Sequence, residues 1–315
     1  MWAAAKRRSP SVLLAALMLG LLSASAPAQE ADELIEDELV ADGAEPRFGF
    51  LANGGFVYQS DADIDGGGKM QAFRYDIGAA GQSRLMDRLS WGNVFFFGVN
   101  DYDFEGGGPW NTILNARLGT NLTYDFTEQW GASIGGIFMF SPESGADWGD
   151  SFTGGGSLAA QYRHSKTLFV SLGVAVISQI EDDVTVTPQV AGIWLPAEDW
   201  ALRVGGVPAS GGAAASAEVA YSIIKPLEVG FGVLYQQRRF RLDDGGPQSD
   251  GVGEDNSLPV RFRLGWNITE NFGAHLLAGA ALAGELKVED SNGNRLASAD
   301  YDPAAYVGLR ILGGF

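Results

Sequence analysis

Few residues of this chain could carry catalytic chemistry. Hydrolysis by a serine nucleophile needs a histidine beside the serine and an acidic or amide side chain that orients the histidine. The sequence contains two histidines and no cysteine. His164 directly precedes Ser165, but adjacent side chains of a strand point to opposite faces, and His275 is distant in the sequence. We therefore expect that the protein is not an enzyme.

One acidic stretch has the beginning of a metal-binding pattern. Asp290, Asn292 and Asn294 alternate in the way that a calcium-binding loop begins. Such a loop also requires a glycine and a glutamate at two later positions, where this chain has Arg295 and Tyr301. Asn-Gly at positions 292 and 293 is instead typical of a tight turn between paired strands. The sequence predicts a hairpin here, with no metal and no cofactor.

The composition favours a β-structure. The chain has 315 residues, a net charge of −18, 44 glycines and 8 Trp, 9 Tyr and 18 Phe residues. The acidic balance argues against a nucleic-acid partner, because phosphate binding requires clustered lysine and arginine. Without cysteine, a disulfide scaffold is excluded. Such high fractions of glycine and aromatic residues are more typical of a β-protein than of a helical enzyme.

The N-terminus has the pattern of an export signal. Basic residues at 6–8 precede an apolar run at 12–22 that is too short to span a membrane, and a site of the A-x-A type follows at 26–28. We expect residues 1–28 to be a cleaved signal peptide. Residues 29–46 then carry eight acidic residues and no basic residue. This segment is either a disordered acidic tail in the periplasm or a short helix that plugs a barrel lumen.

A short pattern that recurs six times indicates the architecture. A large apolar or aromatic residue is followed by a polar turn and, six positions later, by another large residue. The pairs are Leu85/Trp91, Tyr124/Trp130, Tyr162/Leu168, Trp194/Trp200, Tyr221/Leu227 and Trp266/Phe272. Each pair encloses residues typical of turns and therefore marks a tight connection between two strands.

The segments between these turns alternate with a period of two. From residue 227 to 235 the odd positions are Leu, Val, Phe, Val and Tyr, whereas the even positions are mostly glycine or polar. In a membrane barrel the apolar face contacts lipid, and aromatic side chains form a girdle at the headgroups. The predicted girdle comprises Trp91, Tyr124, Trp130, Tyr162, Trp194, Trp200, Tyr221, Trp266 and Phe272.

Connection lengths predict the number of strands. Short periplasmic turns alternate with longer external loops, which is the pattern of outer-membrane barrels. Six periplasmic turns, with both termini in the periplasm, give 2 × (6 + 1) = 14 strands. Twelve strands is the alternative, because the strands between 184 and 223 are short and Pro188 interrupts one. After residue 28 no apolar run approaches the roughly 18 residues that a spanning helix needs.

The sequence therefore predicts an all-β fold, a closed antiparallel transmembrane β-barrel formed by residues 47–315 in the outer membrane of a Gram-negative cell. Closure leaves no unpaired sheet edge in hydrocarbon. The predicted strands span 47–59, 69–83, 89–102, 110–124, 129–141, 152–164, 167–180, 184–195, 199–207, 213–223, 227–242, 258–268, 271–288 and 303–315.

Strand parity places a set of polar side chains on the inward face. Arginine outnumbers the acidic residues there, although the whole chain is acidic. A ring of charge inside a pore sets ion selectivity, whereas arginine–carboxylate pairs can also brace a barrel from within. The set comprises Arg74, Asp76, Arg117, Arg163, Arg203, Glu218, Arg238, Arg261, Arg263, His275, Glu285 and Arg310.

Two functions follow from this arrangement. The first is a passive, porin-like channel for small solutes with an arginine-rich lumen. The alternative is a non-conducting barrel that serves structure, adhesion or ligand presentation through its outer loops. In that case the arginine–carboxylate network or the acidic segment 29–46 closes the lumen.

One external loop is expected to concentrate acidic residues. Asp243, Asp244, Asp250, Glu254 and Asp255 fall between two predicted strands. Such a loop is either simply solvated or binds divalent cations that bridge it to lipopolysaccharide phosphates. Outer-membrane lipids and lipopolysaccharide are the expected surroundings.

Three stretches near the C-terminus resemble a family of known location. They are 240–245 (FRLDDG), 251–259 (GVGEDNSLP) and 284–290 (GELKVED). Together they resemble an uncharacterised, domain-of-unknown-function family of Gram-negative outer-membrane β-barrel proteins, which implies fold and location but no activity. The terminal Phe315 also resembles the signal that the barrel-assembly machinery reads. That machinery and periplasmic chaperones are therefore expected partners, and the oligomeric state is unknown.

Overall fold

One antiparallel sheet contains every strand of the structure. The computed structural model describes residues 48–209, 212–246 and 248–314. The strands are β1 (Phe48–Asp63), β2 (Lys69–Met86), β3 (Leu89–Phe104), β4 (Thr112–Asp125), β5 (Trp130–Phe140), β6 (Phe152–Ser165), β7 (Leu168–Gln179), β8 (Asp182–Ala197), β9 (Trp200–Ala209), β10 (Gly212–Ile224), β11 (Leu227–Arg241), β12 (Val252–Thr269), β13 (Phe272–Glu289), β14 (Arg295–Tyr301) and β15 (Ala304–Gly314). A 3-10 turn lies at Gly149–Ser151. No helix in these residues has the length and apolarity needed to cross a membrane.

The sheet closes on itself into a barrel. Strands β1 to β13 pair in sequence order, and β15 pairs with both β13 and β1. β14 forms a hairpin with the far end of β13 and adds no strand to the wall. The wall therefore has the 14 strands that the sequence predicts, and the twelve-stranded alternative is wrong.

The two ends of the barrel differ in their connections. Six short connections lie at one end, which we call the turn end: 87–88, 126–129, 166–167, 198–199, 225–226 and 270–271. At the opposite end, the loop end, the longer connections 64–68, 105–111, 141–151 and 242–251 lie together with the β13–β14 hairpin. The Asn-Gly hairpin is confirmed, with Gly293 at φ +78°, a conformation that glycine adopts readily.

Alternation along each strand produces a barrel with two different surfaces. On β11, Phe231, Val233 and Tyr235 are exposed on the outside, whereas Gly230 and Leu234 are buried inside. Leu234 is the exception to the polar pattern of the inward positions, and it lines the lumen. The exposed large apolar side chains of the other strands give the outer surface the character that a lipid-facing wall requires.

The acidic loop expected between 243 and 257 is shorter than the sequence suggests. β12 begins at Val252, so that Glu254 and Asp255 belong to a strand and are buried. Cross-strand pairing with Arg239 and Arg238 holds both acidic residues in the sheet. The expectation that these two residues lie in a solvated or cation-binding loop is wrong, because their charge is matched by arginine across the ladder.

A bulge in β13 overturns a second expectation. Ala283 has φ +49°, and the pairing of β12 with β13 shifts register at this point. The extra residue exchanges the two faces of β13, so that Leu286 is buried inward against Asp255. Glu285 consequently lies on the other face, where it forms an ion pair with Lys287 at 2.9 Å. The prediction that Glu285 faces the lumen is wrong.

The predicted girdle residues lie near the turn end with their side chains outside. Most of them are exposed, and Tyr162 is half-buried because its ring packs 4.5 Å from that of Trp130. Trp200 and Tyr221 form a second such pair at 5.0 Å. Contact with the membrane interface stays a prediction for these residues. The signal peptide, the acidic segment 29–46 and Phe315 lie outside the described residues.

A charge placed on the outer wall tests whether this surface contacts lipid. We expect Phe231→Arg, near the middle of β11, to lower the free energy of unfolding by about 2–4 kcal/mol, because arginine is costly at the bilayer midplane. The matched control is Leu227→Arg at the turn end of the same strand, with an expected loss of about 0–1 kcal/mol. Denaturant titration in lipid vesicles measures both, and equal losses would contradict a lipid-facing wall.

Candidate functional site: the lumen

Apolar side chains fill the lumen at the loop end. They come from seven wall strands, their loops and β14, and we call them the mouth cluster. Its members are Ala62, Met70, Ala72, Tyr102, Trp110, Ile113, Phe240, Leu242, Leu286, Val288, Tyr301 and Ala304. All are buried, which is unusual for residues at the open end of a barrel, and the burial follows from contacts across the lumen.

Trp110 and Phe240 show how the mouth is spanned. Their rings lie 4.9 Å apart and nearly perpendicular, a favourable arrangement for two aromatic side chains. Trp110 lies in the β3–β4 loop, two residues before β4, and Phe240 belongs to β11. In the ring of 14 strands, β4 and β11 are seven strands apart in either direction and therefore opposite. The end of the β11–β12 hairpin must accordingly lean inward across the mouth.

Backbone hydrogen bonds fix this crossing. The N–H of Arg241 donates to the carbonyl oxygen of Ser141 at 2.9 Å, and the N–H of Glu143 donates to the carbonyl oxygen of Arg241 at 2.7 Å. The Glu143 carboxylate also accepts from the N–H groups of Asn111 and Asp243, at 2.8 and 2.9 Å. Burial raises the pKa of this carboxyl. Three loops are thus tied together over the lumen.

Two glycines make room for the rings of the mouth cluster. A Cβ atom at Gly253 would overlap with the ring of Phe240, and one at Gly284 would overlap with the ring of Tyr301. Both glycines belong to stretches by which the chain resembles an uncharacterised barrel family. Their role here is steric, because each allows an aromatic ring to lie flat against the sheet.

Asp255 lies directly beneath the mouth cluster and is completely buried. Its Oδ2 atom accepts hydrogen bonds from the Tyr102 hydroxyl at 2.7 Å, from Arg238 at 3.0 Å and from Arg74 at 3.3 Å. Its Oδ1 atom accepts from the Tyr301 hydroxyl at 3.0 Å. One carboxylate therefore joins β2, β3, β11 and β14, and it serves two guanidinium groups.

A cavity of about 140 Å³ lies in the lumen below Asp255. Arg74 and Arg238 reach it from the Asp255 network, and Arg261 reaches it from the opposite side. Its other polar lining includes Gln59, Asn100, Asn115, Gln236 and Ser257. Its apolar lining includes Val57, Phe96, Leu234, Leu277, Ala281 and Tyr306. Asp76, which is paired with Arg310, also lines the cavity, so that charged groups of both signs, most of them cationic, lie beside an apolar wall.

A second network lies below the cavity. Glu218 accepts hydrogen bonds from Arg203 at 2.6 Å, from Arg261 at 2.9 Å and from Arg263 at 2.7 Å. Glu228 pairs with Arg203 at 3.0 Å and also contacts Arg263. Gly230 leaves the space that the Glu218 carboxylate occupies, since a Cβ there would lie 3.0 Å from it.

The remaining inward charges pair locally. Arg310 donates to Asp76 at 3.0 Å, and Arg163 donates to Asp125 at 2.7 Å near the turn end. The guanidinium of Arg117 lies 5.0 Å from the centre of the Phe96 ring. His275 is buried beside Arg310 in the pairing of β13 with β15. Apart from Glu285, the polar residues that strand parity places inside do lie on the inward face, and a role in selectivity stays a prediction for them.

Sequence reasoning missed the central acidic residue of the lumen. Asp255 has the same inward parity as Arg261 and Arg263, a signal that applies to it only once β12 is known to begin at Val252. Glu228 shares the inward parity of β11 and was also left out of the predicted set. No local signal identifies Trp110 or Phe240, because their contact joins opposite walls.

A further polar cluster lies on the other face of the leaning hairpins. Arg239 donates to Glu254 and Glu289, both at 2.6 Å, and to the carbonyl oxygen of Ile180. Lys287 lies 3.7 Å from Glu254 and closes the cluster. The ion pairs join the loop-end parts of β11, β12 and β13 to one another, and the bond to Ile180 attaches them to the turn between β7 and β8. Both kinds of contact support the closed mouth.

The candidate catalytic residues are not brought together in the described chain. His164 contacts the Tyr162 hydroxyl at 3.2 Å, and Ser165 contacts Thr167 at 3.0 Å. The stretch 131–135 (GASIG) matches the G-x-S-x-G spacing of a nucleophile elbow. Its Ser133 lies in the middle of β5, paired with β4 and β6, and not at the strand-to-helix turn that the motif requires.

The stretch that begins like a calcium loop forms a hydrogen-bonded turn. Asp290 Oδ1 accepts from the backbone N–H groups of Asn292 and Asn294, at 2.9 and 2.8 Å. The side chain of Asn294 also donates to Asp290, and these bonds lower the pKa of the aspartate. Among the described residues no group of three or more His, Asp or Glu side chains is arranged to hold a metal ion.

The closed antiparallel barrel of 14 strands, apolar outside and polar inside, defines the outer-membrane β-barrel class of fold. No protein-family model matches the chain, and no curated protein matches it. The resemblance to an uncharacterised barrel family therefore stays a prediction.

Two solved structures from Pseudomonas species share this fold. The toluene transporter TodX of Pseudomonas putida aligns with a TM-score of 0.50 and 9% identity over 93% of this chain and 99% of its own. A FadL homologue of Pseudomonas aeruginosa aligns with a TM-score of 0.50 and 10% identity over 98% of each chain. At this level of identity the similarity establishes the fold.

Removing the charge of Asp255 tests its importance for the lumen. We expect Asp255→Asn to lower the free energy of unfolding by about 3–5 kcal/mol, because Arg74 and Arg238 would keep their buried charges without the carboxylate. The exposed loop residue Asp244 provides the control, since Asp244→Asn is expected to change stability by less than about 0.5 kcal/mol. Denaturant titration of the detergent-solubilised barrel measures both. Equal stabilities would show that the Asp255 network does not hold the mouth.

Proposed function

We propose that the protein is a passive channel of the outer membrane for small solutes, with its mouth closed in this conformation. The observation that carries the proposal is the cavity between the two arginine–carboxylate networks. A barrel of 14 strands lies between filled barrels of about 8 strands and porins of 16–18 strands with an aqueous pore. A barrel that served only as a scaffold would have no use for a polar cavity in mid-lumen.

Passage through the lumen requires the mouth cluster to open. The β11–β12 hairpin crosses the mouth, and its contacts with Trp110 and with residues 141–143 are few compared with those of the barrel wall. Outward movement of this hairpin would separate Phe240 from Trp110 without breaking the closed ladder. We propose this movement as the gate.

The fold adds an argument by analogy. The structure from Pseudomonas putida that shares this fold is a toluene transporter. Transport is therefore a function that this architecture supports, although a shared fold does not by itself transfer a function. The outer-membrane location that we propose rests on the same shared fold and on the apolar outer wall.

A non-conducting barrel is the second candidate function. The mouth cluster favours it, because buried rings from opposite walls leave no open path at the loop end. The hydrogen bonds of Arg239 to the carbonyl oxygen of Ile180 and the ion pair of Arg241 with Glu181 stiffen the same region by binding it to the β7–β8 turn. In this case the protein would act through the surface of its loops.

Loosening the mouth distinguishes the two candidates. Phe240→Ala removes a ring that packs on Trp110, which we expect to destabilise the closed state by about 3 kcal/mol. If the open state lacks this contact, the ratio of open to closed channels rises about a hundredfold. Single-channel recording in planar bilayers measures the open fraction.

The matched control is Phe231→Ala, which removes the same side chain from the outer face of the same strand. We expect this variant to conduct like the unmodified protein. If neither the unmodified protein nor Phe240→Ala shows channel events in a folded preparation, the channel proposal fails and the non-conducting barrel stands.

A further inference from the structure

Two buried hydrogen-bond donors at the cavity have no acceptor among the described residues. They are Nε2 of Gln59 and Nε of Arg74. The orientation of the Gln59 amide is fixed, because its Oε1 atom accepts from Arg74 at 2.9 Å and a guanidinium can only donate. The Nε2 group of this side chain, which is 3% exposed, is therefore a donor at the cavity wall. Buried donors are normally satisfied, so an acceptor is expected here.

The charge at the upper side of the cavity also favours an anion as occupant. Above it, Arg74 and Arg238 share one carboxylate, that of Asp255, which leaves 2 − 1 = 1 positive charge. Asp76, the carboxylate that lines the cavity itself, is paired with Arg310 at 3.0 Å and so adds no excess negative charge. Water can satisfy a donor, but it cannot neutralise an excess positive charge in a buried site.

The rest of the cavity wall sets the size and polarity of the occupant. Phe96, Leu234 and Leu277 provide an apolar surface beside the donors. The cavity volume of about 140 Å³ is close to that of an engineered protein cavity, roughly 150 Å³, that binds benzene. A molecule with one charged group and an apolar body the size of a single ring fits both parts of the wall.

We propose that this cavity binds a small organic anion, a monocarboxylate whose apolar body is about one ring in size. Its carboxylate would accept from Gln59 and Arg74, and its apolar body would lie against Phe96, Leu234 and Leu277. This proposal rests on the channel function. It adds the chemical class of the solute that binds in the lumen during passage.

Benzoate is the probe that tests this site. Isothermal titration calorimetry of the full chain in detergent is expected to show saturable binding with one benzoate per barrel. Gln59→Leu removes the unpaired donor with little change in shape, and we expect it to weaken binding at least about tenfold. Gln82→Leu, a buried lumenal glutamine that does not line the cavity, serves as the matched control and is expected to bind like the unmodified protein.

Two further probes separate the charge from the ring. Benzyl alcohol has the ring without the carboxylate, and acetate has the carboxylate without the ring. We expect each to bind at least about tenfold more weakly than benzoate, because each loses one part of the recognition. Equal affinity for benzoate and benzyl alcohol, or binding of benzoate that Gln59→Leu leaves unchanged, would overturn the proposal.

The acidic segment of this chain is the competing occupant. If benzoate binds only after residues 30–46 are deleted, the cavity belongs to that segment, and the proposal of a solute site is overturned. Benzoate binding without flux into proteoliposomes, even by Phe240→Ala, would retain the site and reject the channel. Flux of small solutes without benzoate binding would retain the channel and reject the site.

Discussion

Closure of the hydrogen-bonded ladder is the constraint on which the rest of this structure depends. An edge strand within hydrocarbon would leave its N–H and C=O groups unpaired, at a cost of several kcal/mol for each group. Pairing of β15 with both β1 and β13 removes that edge. Because the ring must close, the chain ends of the wall meet, and β14 can only be an appendage beyond it.

Closure also creates an interior that has to be filled or hydrated. The chain fills it with arginine–carboxylate networks, in which each central carboxylate serves more than one guanidinium. Arginine suits this role, because its planar group donates several hydrogen bonds in fixed directions. The arrangement braces the wall and still leaves donors and positive charge at the cavity. Bracing of the wall is therefore compatible with the solute binding that we propose for the same residues.

The loop end is closed in this conformation, and the gate that we propose requires it to open. Its apolar contacts join opposite walls, so the mouth is closed by packing between elements that the barrel ladder itself does not connect. Such contacts can separate while every wall strand keeps its neighbours. The glycines beneath Phe240 and Tyr301 and the bulge at Ala283 are the local features that make this packing possible.

The sequence by itself determined the class of fold, the number of wall strands and most of the inward charges. Side chains of a strand alternate strictly between its two faces, and each short turn at the turn end is marked by turn-forming residues between two large apolar ones. It also determined the Asn-Gly hairpin. Only the tertiary structure decided the position of Asp255, the outward face of Glu285 and the closure of the mouth. The first two depend on where β12 begins and on one extra residue in β13. The third depends on contacts between strands on opposite sides of a closed ring, for which neighbouring residues carry no signal.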